Sequence, residues 1–282
     1  MSLVSVNITS YNREQSLMRC LESVTKQSYK NIEINIVDDC STDNTEQIVK
    51  FYQEKDNRIN YFKHEINKGN AFSRNTALKN SNGIYVAFMD DDDEWIDDLK
   101  LEKQVEIFQK NSTGELGLVC SSIKIIREDS SFVKKVHGLS ESELKSKILS
   151  GNSVIYNSTV LVLKSIMDKL GGFDEDLPRG IDSDFFRRLI LIEKKRVFFM
   201  DDVTANIYEC GADRMTNVVT TKSLKKNILA NEMCLIKYKE IFSDFEEIKK
   251  FRKNKLLKKY LRLLYNEPSL SNIGRMIKGM SL

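Results

Sequence analysis

Histidine and paired cysteine are scarce in this 282-residue chain, and each scarcity excludes something. Only two histidines are present, His64 and His137, so a histidine-built metal cage and a Ser-His-Asp triad both lack raw material. The five cysteines (Cys20, Cys40, Cys120, Cys210 and Cys234) are odd in number, widely spaced and without a CxxC pair. That pattern argues for free thiols in a reducing compartment and against a disulfide frame or zinc site. No apolar run reaches the roughly 18 residues of a membrane-spanning helix. The amino terminus also lacks the basic start, long apolar core and cleavage site of a signal peptide, so a cytoplasmic protein is expected. Neither GxGxxG nor GxxxxGK(S/T) follows the first apolar segment, and GxSxG does not occur. These absences count against a dinucleotide-dependent oxidoreductase, a P-loop enzyme and an α/β-hydrolase.

What the chain does have is carboxylate, unevenly placed. Net charge is +3, but from Lys222 onward 15 Lys and Arg face 6 Asp and Glu, a balance of +9 that leaves −6 for the preceding residues. The most concentrated acid is in Tyr85 to Trp95, YVAFMDDDDEW, where a short apolar run stops in four consecutive aspartates, Asp90 to Asp93. The run reads as a buried strand. Four carboxylates at its end repel one another unless they are solvated or a cation sits among them. Magnesium or manganese held by carboxylates is the metal this composition supports.

Earlier segments set the context. Leu3 to Thr9, Ile32 to Val37 and Ile59 to Phe62 read as strands. Helical spacing follows each, at Leu17, Cys20, Leu21 and Val24, from near Asn44 through Tyr52, and from Gly69 to Leu78. Asn12 is a candidate N-cap for the first helix. Strand alternating with helix is the rhythm of a parallel sheet with right-handed crossovers. Two strands end in acid, at Asp38-Asp39 and at Asp90 to Asp93, and such strand ends share one edge, where open α/β sheets bind ligands. After a helix over residues 99–110, Leu116 to Ile126 is a long strand, Arg127 to His137 a polar hairpin or loop, and Val160 to Leu163 a further strand. Gly171 to Asp174 is a turn, and Gly180 begins a helix running to about Glu193. Asp182 sits near that helix start, either as a cap, which its position alone favours, or as a carboxylate pointing into the cleft.

Several separated stretches, in order, are similar to family 2 glycosyltransferases of the GT-A fold. They are residues 4–45, Asn67-Lys68-Gly69, Ser73-Arg74-Asn75, Gly83 to Trp95, Gly171 to Asp174 and Arg179 to Asp184, together covering about residues 1–210. The resemblance implies a Rossmann-like α/β domain over 1–215, with a nucleotide-binding half at 1–110 and an acceptor half at 111–215. A basic helical region at 216–282 follows. It also implies metal-dependent, inverting transfer of a sugar from a nucleoside diphosphate, a UDP-hexose or UDP-N-acetylhexosamine, to a saccharide or lipid-linked saccharide hydroxyl in O-antigen or capsule-type polysaccharide synthesis. By position, Thr9, Tyr11 and Asp39 fall where the family holds the base, and Arg74 falls near the nucleotide. Asp90 to Asp93 match the DxD element, with Asp92 the principal ligand of Mn²⁺ or Mg²⁺, Asp90 and Asp93 supporting, and Asp90 and Asp91 on the nucleotide sugar. Asp182 falls at the catalytic base. Two departures stand out. Ile181 replaces the first acid of a common Glu-Asp pair, and the stretch Ile207 to Arg214 has no histidine near the diphosphate. Arg214 is the candidate to neutralise phosphate in its place.

Two other functions compete: a nucleotidyltransferase, which would show a Gly-rich basic loop after the first strand, and a nucleotide-sugar-binding module without catalysis. No basic–aromatic platform or helix-turn-helix spacing supports nucleic-acid binding. In the tail, Leu224, Ile228, Leu229, Met233 and Ile236, and then Leu256, Leu257, Tyr260, Leu261 and Leu264, have helical spacing among lysines and arginines. Such helices suit an anionic membrane surface on the inner face of the plasma membrane. They equally suit packing on the catalytic domain or a homodimer contact.

Overall fold

The computed structural model describes residues 1–111, 113–136, 138–152, 154–209 and 220–282. Strands β1 (Val4–Ser10), β2 (Ile32–Asp38), β3 (Ile59–Lys63) and β4 (Tyr85–Asp90) alternate with helices α1 (Glu14–Thr25), α2 (Thr45–Gln53) and α3 (Asn70–Lys79). The strands pair in parallel in the order β3-β2-β1-β4, so their carboxyl ends lie on one edge. One face of β1 carries Val4, Val6 and Ile8 into the core with Leu17, Leu21 and Val24 of α1. The other carries Asn7, which is in register with Asn35 and, through it, with Asn60. These three side chains bond in series across the strands, and Asn7 also bonds Ser81. A buried polar ladder of this kind is tolerable because each amide finds a partner.

The sheet continues through the second half of the chain. After β5 (Glu94–Trp95) and α4 (Lys100–Lys110) come β6 (Leu116–Ile126), β7 (Ser131–Lys134), α5 (Glu141–Ser150), a 3₁₀ turn (Asn157–Thr159) and β8 (Leu161–Leu163). Then follow α6 (Lys164–Lys169), α7 (Ile181–Arg187), a π turn over Arg188–Ile192, and β9 (Arg196–Tyr208). β8 runs antiparallel between β4 and β6, β9 lies parallel to β6, and β5 pairs antiparallel with β9. The polar stretch after Ile126 is a hairpin, with β7 on β6. Strand β9 is not apparent in the sequence, and the reason is a bulge. Ser121 faces Met200 and Ser122 faces Val203, so Asp201 and Asp202 are looped out and the alternation breaks at that point.

The tail forms α8 (Thr221–Lys237), α9 (Lys239–Ser243), α10 (Glu246–Asn266) and α11 (Leu270–Met280). Helices α8 and α10 turn part of their apolar surface inward, where Leu224, Ile228, Leu235, Tyr238, Leu256, Tyr260 and Leu263 share a core with Leu149 of α5, while Leu229, Ile236 and Leu261 stay exposed. Among the described residues no helix is long and apolar enough to cross a membrane.

Candidate active site

At the carboxyl edge of the sheet lies a cleft of about 200 Å³, lined by Asp90, Asp92, Asp93, Asp182 and Glu209 with Asn157 and Tyr156 among its neutral groups. Among the described residues the lining holds five carboxylates and no lysine or arginine. Strand β4 delivers Asp90 at its last position, and the turn into β5 delivers Asp92 and Asp93. Asp93 is buried and accepts from Ser158 Oγ at 2.5 Å, while the same hydroxyl accepts from the Asp90 N–H at 3.2 Å. Asn157 Nδ2 donates to Asp90 Oδ1 at 3.0 Å, and Trp95 Nε1 donates to the Ser158 carbonyl at 2.6 Å. The 3₁₀ turn is therefore a brace behind the acidic loop. Asp91 is not in the lining. It is buried and accepts from Ser10 Oγ at 2.7 Å, and burial, then the neighbouring Asp92 charge, push its carboxyl up to about 7.

Asp182 lies in the first turn of α7, after Gly180 at φ 75°. Gly180 holds the N-cap position, so Asp182 is not the cap; its carboxylate lines the cleft. Arg74 joins it to Asp90. This guanidinium is buried, donates through Nη2 to Asp90 Oδ1 at 2.6 Å, and pairs through Nη1 with Asp182. Arg13 pairs with Asp92 at 3.1 Å, and Arg19 donates to the Asp92 carbonyl at 2.9 Å while lying over the Tyr208 ring.

Two motifs that are remote in sequence meet here. Asn75, beside Arg74 on α3, both donates to the Phe173 carbonyl and accepts from its N–H, each at 2.8 Å. A Cβ on Gly172 would stand 2.5 Å from Asn75 Oδ1, and φ there is 70°, so glycine is required on both grounds.

The second acidic strand end does not open onto this cleft. Asp38 is fully buried and accepts from the Ser41 N–H at 2.7 Å and from Tyr61 Oη at 2.6 Å. Asp39 accepts from the N–H groups of Lys68 and Gly69 at 2.8 and 2.7 Å and bonds His64 Nδ1 at 2.9 Å. It thereby fixes the loop that opens α3 and delivers Arg74. Thr9 donates to Asn70 Oδ1 at 3.1 Å, and Tyr11 is 47% exposed at the same edge. Asn12 does not cap α1. It sits at φ 52° and accepts from the Thr42 N–H at 2.8 Å, tying the β1 and β2 loops together. Arg214 lies outside the described residues.

The donor set suits a hard divalent cation in one particular way. Among the described residues no group of three His, Cys, Asp or Glu side chains converges as a metal cage. Yet Mg²⁺-type ions bind through one or two carboxylates completed by substrate phosphates, and Asp90, Asp92 and Asp93 offer that half of a coordination shell. Sequence reasoning missed Arg13, Asn157, Ser158 and Asp184. Arg13 and Asp184 lie inside the family-like stretches 4–45 and Arg179 to Asp184 without a role that those stretches mark, and nothing local marks Asn157 or Ser158. Asp184 is buried and bonds Arg188, Lys237 and Tyr238 Oη at 2.8, 3.0 and 2.7 Å, pinning α7 to α8.

A parallel nucleotide-type half sheet extended by a mixed half, with an acidic loop ending the fourth strand and a further acid on a facing helix, defines a GT-A fold. The comparisons make the family specific. The model of Glycosyl transferase family 2 matches residues 5–171, more than half of the chain, and the chain belongs to that family. It is 46% identical over 110 residues to TuaG of Bacillus subtilis (strain 168), named for teichuronic acid biosynthesis, a match covering 39% of this chain and 43% of that one. It is 28% identical over 263 residues, 93% of this chain and 92% of that one, to WfgD of Escherichia coli, named UDP-Glc:alpha-D-GlcNAc-diphosphoundecaprenol beta-1,3-glucosyltransferase. The matched segment thus spans under half of the Bacillus relative. In fold it is similar to residues 1–349 of TarS from S. aureus, with a TM-score of 0.73 at 20% identity, covering 99% of this chain and 79% of that one.

Proposed function

We propose that this chain is a metal-dependent, inverting glycosyltransferase. Its donor is a nucleoside-diphosphate sugar, a UDP-hexose or UDP-N-acetylhexosamine, and its acceptor is a hydroxyl of a lipid-linked saccharide in surface polysaccharide synthesis. The observation that carries this reading is one buried guanidinium, Arg74, bonded to both Asp90 and Asp182. It brings a carboxylate suited to proton abstraction next to the carboxylates suited to the donor. The donor class is supported by TarS, whose structure was solved in complex with UDP-GlcNAc, and the acceptor class by the diphosphoundecaprenol in the WfgD name.

The chemistry this reading entails is direct displacement. An acceptor hydroxyl is a poor nucleophile, so Asp182 takes its proton as the oxygen attacks the anomeric carbon. Attack opposite the leaving group inverts that carbon and expels the nucleoside diphosphate. Asp92, with Asp90 and Asp93, would hold Mn²⁺ or Mg²⁺, which supplies Lewis-acid stabilisation of charge on the diphosphate. Arg74 and Arg13 add fixed positive charge at the same place. Thr9, Tyr11 and Asp39 are assigned to the base end of the donor.

A lipid-linked acceptor also needs a surface, and α11 offers one. Leu270, Ile273 and Ile277 recur at helical spacing and are 87%, 40% and 65% exposed. Arg275 of the same helix joins Lys222, Lys225, Lys226, Glu267 and Leu229 around a cavity of about 380 Å³. Arg275 is on the other side of α11 from that stripe, paired with Glu232 at 3.4 Å; an exposed apolar stripe on a basic tail matches an anionic bilayer, and we assign the stripe to peripheral membrane contact.

The test is the identity of the leaving group. Incubation with a UDP-sugar panel, Mn²⁺ and lipid-linked acceptor is expected to release UDP in step with glycosylated acceptor. No release of UDP here, but release of pyrophosphate from UTP and a sugar 1-phosphate in a parallel incubation, would mark a nucleotidyltransferase, and tight donor binding with no turnover on any acceptor would mark a binding module.

A further inference from the structure

The cleft contains a mismatch between what lines it and what guards it. Five carboxylates face the cavity, with no lysine or arginine among the described residues of its lining, while two arginines outside that lining pair with those carboxylates. Arg74 spans Asp90 and Asp182, with only 4% of its side chain exposed, and Arg13 pairs with Asp92 at 3.1 Å. The carboxylates so engaged include two of the three assigned to the metal and the one assigned to the proton. Arg19 differs, because it bonds a backbone carbonyl and is held over Tyr208; it has no carboxylate to exchange.

We propose that Arg74 and Arg13 act as resident counter-ions that a divalent cation must displace, and that the incoming diphosphate then receives them. The inference rests on the donor-site reading above. Its physical basis is charge balance. Carboxylates crowded in one cleft repel one another, and Asp90, Asp182 and Asp92, 35%, 34% and 26% exposed, are relieved of that repulsion by the paired guanidinium groups; arginine is the side chain that exchanges a carboxylate for a phosphate while keeping bidentate geometry. Cation and nucleotide are therefore taken up as a pair, because each supplies what the other displaces. The exchange has a consequence for the proton step. Asp182 loses its guanidinium partner only when the donor diphosphate has claimed it, so the positioning residue Arg74 makes the base available only on the loaded enzyme.

Mn²⁺ binding without turnover tests this, measured by titration calorimetry or electron paramagnetic resonance, with and without UDP, on the full chain and on Arg74→Met, Arg74→Lys and Arg13→Met. Each Met variant is expected to bind Mn²⁺ alone about five-fold or more tighter than the parent, because a competing cation is gone, and UDP more weakly. Arg74→Lys should stay near the parent for Mn²⁺ alone, since charge is kept. Arg13 is less buried than Arg74, so its variant keeps the test open should Arg74→Met fail to fold. Unchanged or weaker Mn²⁺ binding by the folded Met variants would overturn the exchange, even where the parent shows normal UDP-dependent Mn²⁺ binding and the donor-site reading stands. Absence of Mn²⁺ binding in every form, with UDP present, would overturn both.

Discussion

Ser158 stands outside the cleft lining but braces the acidic loop that lines it. One hydroxyl holds the Asp93 carboxylate and the Asp90 backbone at once. Residues behind a metal ligand typically matter ten- to a hundred-fold, so Ser158→Ala should weaken Mn²⁺-dependent UDP binding about ten-fold while thermal stability changes little. Unaltered binding would mean that the brace is not needed. Lys100 offers a different kind of test. It is fully buried against Trp95 and Gln104, and burial lowers its pKa to about 7. The unfolded chain therefore binds a proton there that the folded chain sheds, and this residue's contribution makes stability rise as pH climbs from about 7 toward 10.5. At about 1.4 kcal/mol per pKa unit the effect is on the order of a few kcal/mol. Urea unfolding at pH 7 and pH 9.5 should show a rise for the parent chain that Lys100→Met lacks; identical pH slopes would refute it. Neither residue could be read from sequence. Ser158 stands in a stretch without periodicity, and Lys100 sits where a helix usually presents charge to water. Asp90 to Asp93 were legible as a cluster because acid abutting a buried strand is unusual in itself.

Among the elements, α7 carries the proposed base but is short, and it is anchored from outside. Asp184, one turn on from the helix start, is bonded by Arg188, Lys237 and Tyr238, the last two at the end of α8. Burial and the Asp184 charge push the Tyr238 phenol well above its usual pKa, so it stays a donor. Removing a partner from a buried ion pair costs about 3–5 kcal/mol. Asp184→Ala should lose stability on that scale in chemical denaturation, and whatever folds should show impaired turnover at nearly normal UDP affinity. A loss under about 1 kcal/mol would show that α8 does not hold α7. The strand–helix rhythm of the first half was legible because each strand is a short run with turn chemistry at its ends. Strand β9 was not, because its looped-out Asp201 and Asp202 interrupt the pattern. The fate of the Asp38-Asp39 pair was equally hidden. Sequence places both acids at the binding edge, and only the fold shows them satisfied by Ser41, Tyr61, His64 and the N–H groups of Lys68 and Gly69.

Over the whole molecule, charge and apolar exposure separate. The acidic cleft is distinct from a basic tail in which α8 and α10 share a core with α5 and α11 carries an exposed apolar stripe. Sedimentation with phosphatidylcholine and phosphatidylglycerol-containing vesicles should show preference for the anionic ones, weakened by salt. Ile277→Asp should lower binding roughly ten-fold, from the burial of one side chain alone. Indifference to lipid charge, or a dimer that the same substitution dissociates, would reassign the face to another role. The central claim, however, is that one cleft holds donor and base together, and Asp182→Asn tests it most directly. Measured side by side with the parent chain on the same UDP-sugar and lipid-linked acceptor, this variant should bind UDP normally with Mn²⁺. It should transfer sugar about 100-fold to 10,000-fold more slowly, the range of a lost general base. Turnover within a few-fold of the parent chain would contradict the account.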